Sequence, residues 1–196
     1  MTIRTATLFT LLSAFCTAAA AQVAAPVETP LFAKDVAAGK LSPVSARLPQ
    51  NPRVVRLKNP GWHGGTMRVV FGRSKDTRIM VVYGYARLMA YDEKYQLQPD
   101  ILAGVDVQQG RVFTLRLREG HRWSDGTPFT SEDFRYWWED IANHKKLSPL
   151  GVPKQMVIAG ELAKFEVIDD HTVRFSWNSP NPHFLPALAS ATPLYI

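Results

Sequence analysis

Residues 111–143, RVFTLRLREGHRWSDGTPFTSEDFRYWWEDIAN, constrain this chain more than any other stretch. Phe113, Leu115 and Leu117 alternate with Thr114, Arg116 and Arg118, the period of a strand with one face buried. Ser124-Asp125-Gly126-Thr127-Pro128 follows as a turn, with glycine free to take positive φ and proline fixing the exit. Thr130 then caps a helix, and Asp133 three residues on makes a capping-box pair with it. Glu132 and Asp133 also suit the positive start of that helix. Phe134, Trp137, Trp138 and Ile141 fall at i, i+3, i+4 and i+7, a single apolar stripe. The chain must therefore lay an aromatic helix on a sheet.

The rest of that sheet is written on both sides. Val105–Val107 and residues 111–118 flank Gln109-Gly110 and read as a hairpin. Residues 164–168 and 172–177 read as a second hairpin around Asp169-Asp170, with Val173, Phe175 and Trp177 on one face. The expected core is Phe113, Leu115, Leu117, Phe134, Trp137, Trp138, Ile141, Val173 and Phe175. Upstream, residues 66–71 (TMRVVF) read as a short buried strand. Residues 77–88 (TRIMVVYGYARL) are apolar throughout, and their composition permits either strand or helix.

The N-terminus speaks to compartment. Arg4, the apolar run 6–19 and Ala19-Ala20-Ala21 make a positive n-region, an h-region and a small-residue cleavage site before Gln22. The run is too short to span a bilayer comfortably. Cys16 is the single cysteine, and the bulky Phe15 before it argues against a lipidation site, so soluble export is expected without disulfides. Residues 22–60 show little periodicity and hold Pro26, Pro30, Pro43, Pro49, Pro52 and Pro60, an arm expected to be extended or disordered. Much of the formal net charge of +6 lies there, in Lys34, Lys40, Arg47, Arg53, Arg56 and Lys58. No run is dense enough to mark a nucleic-acid surface, and a solvated leader is the preferred reading over a wall- or membrane-binding one.

Three motifs in order carry a resemblance. FTLRLREGHRWSDGTPFTSEDFRYWWEDI, the upstream YGYARLMAYDEKYQLQPDILAG and the downstream FEVIDDHTVRFSWNSPNPHFLPAL resemble segments of the family 5 extracellular solute-binding proteins of bacterial ABC importers, the oligopeptide- and dipeptide-binding group. The resemblance runs from about Gly65 to the C-terminus. It implies an α/β fold of the type II periplasmic-binding-protein kind, with two lobes, an interlobe cleft and an α+β satellite inserted into the first lobe. On that pattern residues 1–21 are the signal peptide, 22–60 the arm, 61–88 the start of lobe one, 89–182 the satellite and 183–196 the return to lobe one. The second lobe is expected to be absent, leaving a fragment not competent to bind alone. The resemblance also favours a helix over 77–88. It implies a peptide-like small solute and an inner-membrane ABC permease as partners, a monomer, and neither nucleic acid, metal nor cofactor.

Chemical candidates are few. His63-Gly64-Gly65 is similar to an esterase oxyanion loop, but no serine sits in a G-x-S-x-G elbow, so a flexible lead-in is the better reading. His63, His121, His144, His171 and His183 show no metal-ligand spacing, and no phosphate loop is present. Asp125 and Asp133 could pair for acid–base work, yet turn and cap duties account for both. Trp123, Trp137, Trp138 and Trp177 could stack on sugars or peptide rings, although packing explains the last three. One segment carries a functional expectation: Arg73-Ser74-Lys75-Asp76, between the expected strand and helix. Helix starts offer unpaired N–H groups, and two cations with one anion suit a carboxylated or zwitterionic ligand. In the resembled family the matching segment lines the cleft; an ordinary capped loop is the alternative. A secreted hydrolase and a basic wall-binding module remain the competing functions.

Overall fold

The computed structural model describes residues 26–55, 58–59, 61–80 and 86–190. The signal-peptide expectation over 1–21, residues 81–85 of the expected helix and residues 191–196 lie outside the described residues. Within the arm the chain is folded, contrary to expectation. Helices α1 (Ala33–Ala37) and α2 (Val44–Arg47) are short, and α2 starts on Pro43, which offers no side-chain cap. Glu28 supplies it from a distance. Its Oε2 accepts the Val44 N–H at 3.0 Å, and its carboxylate meets Arg47 Nη2 at 2.6 Å. Arg47 in turn donates to the Ser42 carbonyl and lies over the Phe32 ring, 5.4 Å from its centroid. One ion pair between residues far apart in sequence thus orders a segment that local pattern leaves blank.

Two further expectations are corrected. Residues 66–71 form no strand, and Val70 is 97% exposed, because nothing among the described residues lies alongside to complete a ladder. Of the expected helix over 77–88, residues 77–80 belong instead to a 3₁₀ helix, Ser74–Met80, and residues 86–88 are non-helical. The carbonyls of Arg87 and Leu88 are committed elsewhere: Arg87 accepts from Ile101 N–H, and Leu88 from Asp100 and Leu102 N–H. Those bonds tie residues 87 and 88 to residues 100–102.

From residue 88 onward the sequence pattern and the structure converge. Strands β1 (Met89–Tyr91) and β2 (Leu97–Pro99) pair as a ribbon. Strands β3 (Leu102–Gln108) and β4 (Val112–Leu117) form the first hairpin, where Gln109 and Gly110 both take positive φ. Helix α3 (Ser131–Tyr136) runs on into a π-helical stretch, Trp137–Ala142. Strands β5 (Val157–Ile158) and β6 (Glu161–Leu162) make a small hairpin, and β7 (Lys164–Asp169) and β8 (Thr172–Ser176) the second long one. The antiparallel sheet runs β3-β4-β8-β7, with Phe113 opposite Phe175 and Leu115 opposite Val173.

Phe113, Leu115, Leu117, Val173, Phe175 and Trp177 are buried on the helix-facing side, against Phe134 and Trp138. Trp137 and Ile141 are only half-buried. The cause is the change of winding after Tyr136: wider π turns carry these two positions off the 3.6-residue stripe. Helix α4 (Phe184–Ala187) closes the core, with the Phe184 ring 5.1 Å from Phe113 and 5.3 Å from Phe175. Asn181, 1% exposed, anchors that return by donating to the Gln155 carbonyl and accepting from His183 N–H. The ends of this unit meet where Arg87 Nε donates to the Ser190 carbonyl at 3.1 Å.

Candidate functional site

Ser74, Lys75 and Asp76 form the first turn of the 3₁₀ helix, and Arg73 immediately precedes it. Asp76 N–H donates to the Arg73 carbonyl at 3.0 Å, and Arg73 Nε meets Asp76 Oδ2 at 3.4 Å. Thr77 Oγ1 donates to the Ser74 carbonyl, tightening the turn. The Arg73–Asp76 pair is exposed on its arginine side, so it neutralises charge more than it stabilises. Lys75 is exposed and has no hydrogen bond or ion pair among the described residues. The turn therefore presents one uncompensated ammonium and a guanidinium whose carboxylate partner a ligand carboxylate could replace.

Among the described residues, two concavities on the sheet unit stand out, and neither was singled out from the sequence. The first, about 630 Å³ and open, is lined by Ala103, Arg116, Glu119, Asp170, His171 and Thr172 among others. Arg116 lies flat across Gly104, where a Cβ would meet its Nη2 at 2.8 Å. Asp169 at its edge accepts His171 N–H and Thr172, which hold its carboxyl below the usual carboxylate range. Acid and base are interspersed there without converging on a point. The second concavity, about 290 Å³, is apolar and lined by Leu97, Val107, Phe113, Pro180, Leu185 and Pro186. The Pro180-Asn181-Pro182 sequence was its one available signal, since prolines around a buried asparagine leave a non-helical rim.

The other candidates have structural employment. Asp125 accepts Thr127 Oγ1 and N–H, which lower its pKa as a turn-closing carboxylate. Asp133 accepts Thr130 N–H at 2.8 Å and the Trp123 indole N–H at 3.0 Å, while Thr130 Oγ1 accepts Glu132 N–H at 3.3 Å. The capping box thus stands as its spacing predicts, and Trp123 is pinned beside it on the Phe129 edge. Trp177 donates its indole N–H to the Met156 carbonyl in the core. His144 accepts Leu147 N–H, and His121 buries Nε2 with no hydrogen-bond partner among the described residues, burial holding its pKa below 6.5. Among the described residues no three His, Cys, Asp or Glu side chains gather as a metal site.

Similarity to known proteins points one way. Residues 96–196 match the family described as bacterial extracellular solute-binding proteins, family 5. The periplasmic α-galactoside-binding protein of Rhizobium meliloti is 29% identical over 172 residues, covering 76% of this chain and 25% of that protein. The periplasmic oligopeptide-binding protein OppA of Salmonella typhimurium is 30% identical over 113 residues, covering 52% of this chain and 21% of its own length. A solved oligopeptide-binding protein OppA superposes with a TM-score of 0.68 at 33% identity, over 84% of this chain and 26% of that one. The chain thus spans about a quarter of the length of the relatives it matches.

Proposed function

Because the chain belongs to the bacterial extracellular solute-binding proteins of family 5, with a type II periplasmic-binding-protein fold, we propose that it is the first part of an exported protein that captures a solute for an ABC importer. The solute is peptide-like and sits in an interlobe cleft, and the loaded protein delivers it to a permease in the inner membrane. Lobe closure around the ligand supplies the transport signal. One observation carries this reading: the chain superposes on an oligopeptide-binding protein over 84% of its length, with a TM-score of 0.68. Relatives named as oligopeptide-binding and murein peptide-binding proteins support the peptide reading, with α-galactoside binding as the alternative that another relative's name offers. Export rests on Arg4, the apolar run and Ala19-Ala20-Ala21. The unit at 89–182 serves as the satellite, and 61–88 leads into lobe one.

In this reading Arg73, Ser74, Lys75 and Asp76 meet the ligand from the first lobe, with Lys75 and Arg73 receiving carboxylate oxygens. Half a cleft loses preorganised contacts on the far side, so 196 residues alone bind weakly. The hydrolase reading is disfavoured because Asp125 and Asp133, its candidate carboxylates, are occupied by turn and cap. A wall-binding arm is disfavoured because Arg47 and Arg53 are spent on Glu28 and Asp100.

Calorimetry on the protein extended to its relatives' length, against peptides and α-galactosides, tests the assignment. Binding of peptides without turnover is expected, weakened when Arg73 and Lys75 are both changed to Ala. Cleavage of a substrate would overturn the binding role. Preference for galactosides would overturn the peptide assignment, and an unchanged affinity in the double variant would remove Arg73–Asp76 from the site.

A further inference from the structure

The N-terminal arm touches the sheet unit along one short stretch. Arg53 Nη1 meets Asp100 Oδ1 at 3.1 Å, and the Asn51 carbonyl accepts Arg118 Nη1 at 3.3 Å. Beside them the backbone of Pro49 and Gln50 runs against Gly120. A Cβ on Gly120 would lie 2.9 Å from Gln50 N and 3.3 Å from Pro49 Cα, and its φ of +87° is itself glycine territory. Asp100 is shared. Its other oxygen accepts Arg87 N–H at 3.2 Å, and its carbonyl accepts Arg118 Nε at 2.9 Å. The arm, the start of the sheet unit and the end of β4 converge on that residue.

What this contact lacks is apolar burial. No residue from 26 to 55 is buried, and none joins the hydrophobic core. The single ion pair, with side chains 22% and 26% exposed, and the exposed hydrogen bond from Arg118 reach solvent, so each contributes modestly and is weakened by salt. A contact with tight steric fit but no hydrophobic term is specific and weak at once. We propose that residues 49–53 form a detachable strap, docked on Asp100, Arg118 and Gly120 at low ionic strength and released without unfolding the sheet unit. Beyond the strap the chain leads to Arg73–Asp76, so its state governs how freely that segment moves; this consequence alone rests on the function proposed above.

Trypsin cleavage after Arg53 in the full chain reads the strap directly, with a free peptide of residues 47–58 at the same salt as reference. At about 0.1 M salt, cleavage should be at least about tenfold slower than in the peptide; about 1 M salt should remove most of that protection while residues 88–188 resist digestion. Arg118→Ala and Gly120→Ala should each expose the site at low salt. Cleavage at the peptide's rate under every condition would show that nothing is docked. Protection that survives high salt would show a permanent contact, and loss of the sheet unit along with the strap would show that the two are inseparable. Should either variant fail to fold, the salt series on the unaltered chain decides alone.

Discussion

Trp138 meets Phe175 edge to face, with ring centroids 5.9 Å apart and planes at 77°. The indole also touches Phe165, and Phe175 passes the contact on to Phe184. Helix, sheet and returning segment are thus joined through one aromatic relay. Trp138→Ala should lower stability by about 3–5 kcal/mol, because the neighbouring rings are fixed by the sheet and cannot collapse into the space. Urea unfolding measures it, and a loss under about 1 kcal/mol would mean that the relay does not hold the layers together.

Asp133 serves two masters. It closes the capping box on Thr130 N–H and holds the Trp123 indole. Asp133→Ala should cost about 1–2 kcal/mol and also shift Trp123 emission, whereas Thr130→Ala should cost about 1 kcal/mol and leave emission unchanged. Equal emission in the two variants would break the link between cap and indole.

Glu28 caps α2 from outside the helix. Its pKa is lowered by Arg47 first, then by N–H donors at Val44 and Thr29. Glu28→Ala should speed hydrogen exchange at the Val44 amide by about tenfold while amides of β4 and β8 keep their rates. Unaltered exchange at Val44 would mean that the helix needs no such cap.

His121 sets a pH dependence. Burial first, and Arg118 second, hold its pKa below the usual 6.5. The unfolded chain therefore takes up this proton at higher pH than the folded one. Stability is fully present above about 6.5 and declines as pH falls toward the folded value, below which the loss levels off. The carboxylates of Glu28, Asp92, Asp125, Glu132 and Asp169 are held low, so their losses begin lower still. Urea midpoints from about pH 7 to about pH 5 should fall in the native chain and stay level in His121→Gln.

The sequence was most informative where structure follows a short period. Alternation in residues 113–117 and 173–177 named the buried sheet face, and the Thr130–Asp133 spacing named the helix start. It was least informative where partners lie far apart. Glu28 and Arg47 are separated by 19 positions and Arg53 and Asp100 by 47, so no local window holds both ends. Trp137 and Ile141 were misplaced because their spacing presumes regular α winding, which the π stretch abandons. Residues 66–71 have a strand's composition, but a strand also needs a neighbour, and composition says nothing of one. Arg73–Asp76 was expected to lead from a strand into a helix near Thr77, but no strand precedes it among the described residues and a 3₁₀ helix opens at Ser74; neither that turn nor its internal ion pair was legible.

The hydrogen bond from Arg87 to the Ser190 carbonyl brings together two positions 103 residues apart. A chain that leaves and rejoins its path at one point makes a side excursion, and what lies within can be lengthened, exchanged or removed without re-routing what lies outside. For a gene this is a cassette whose two boundaries, near 87 and 190, are held side by side in the folded protein.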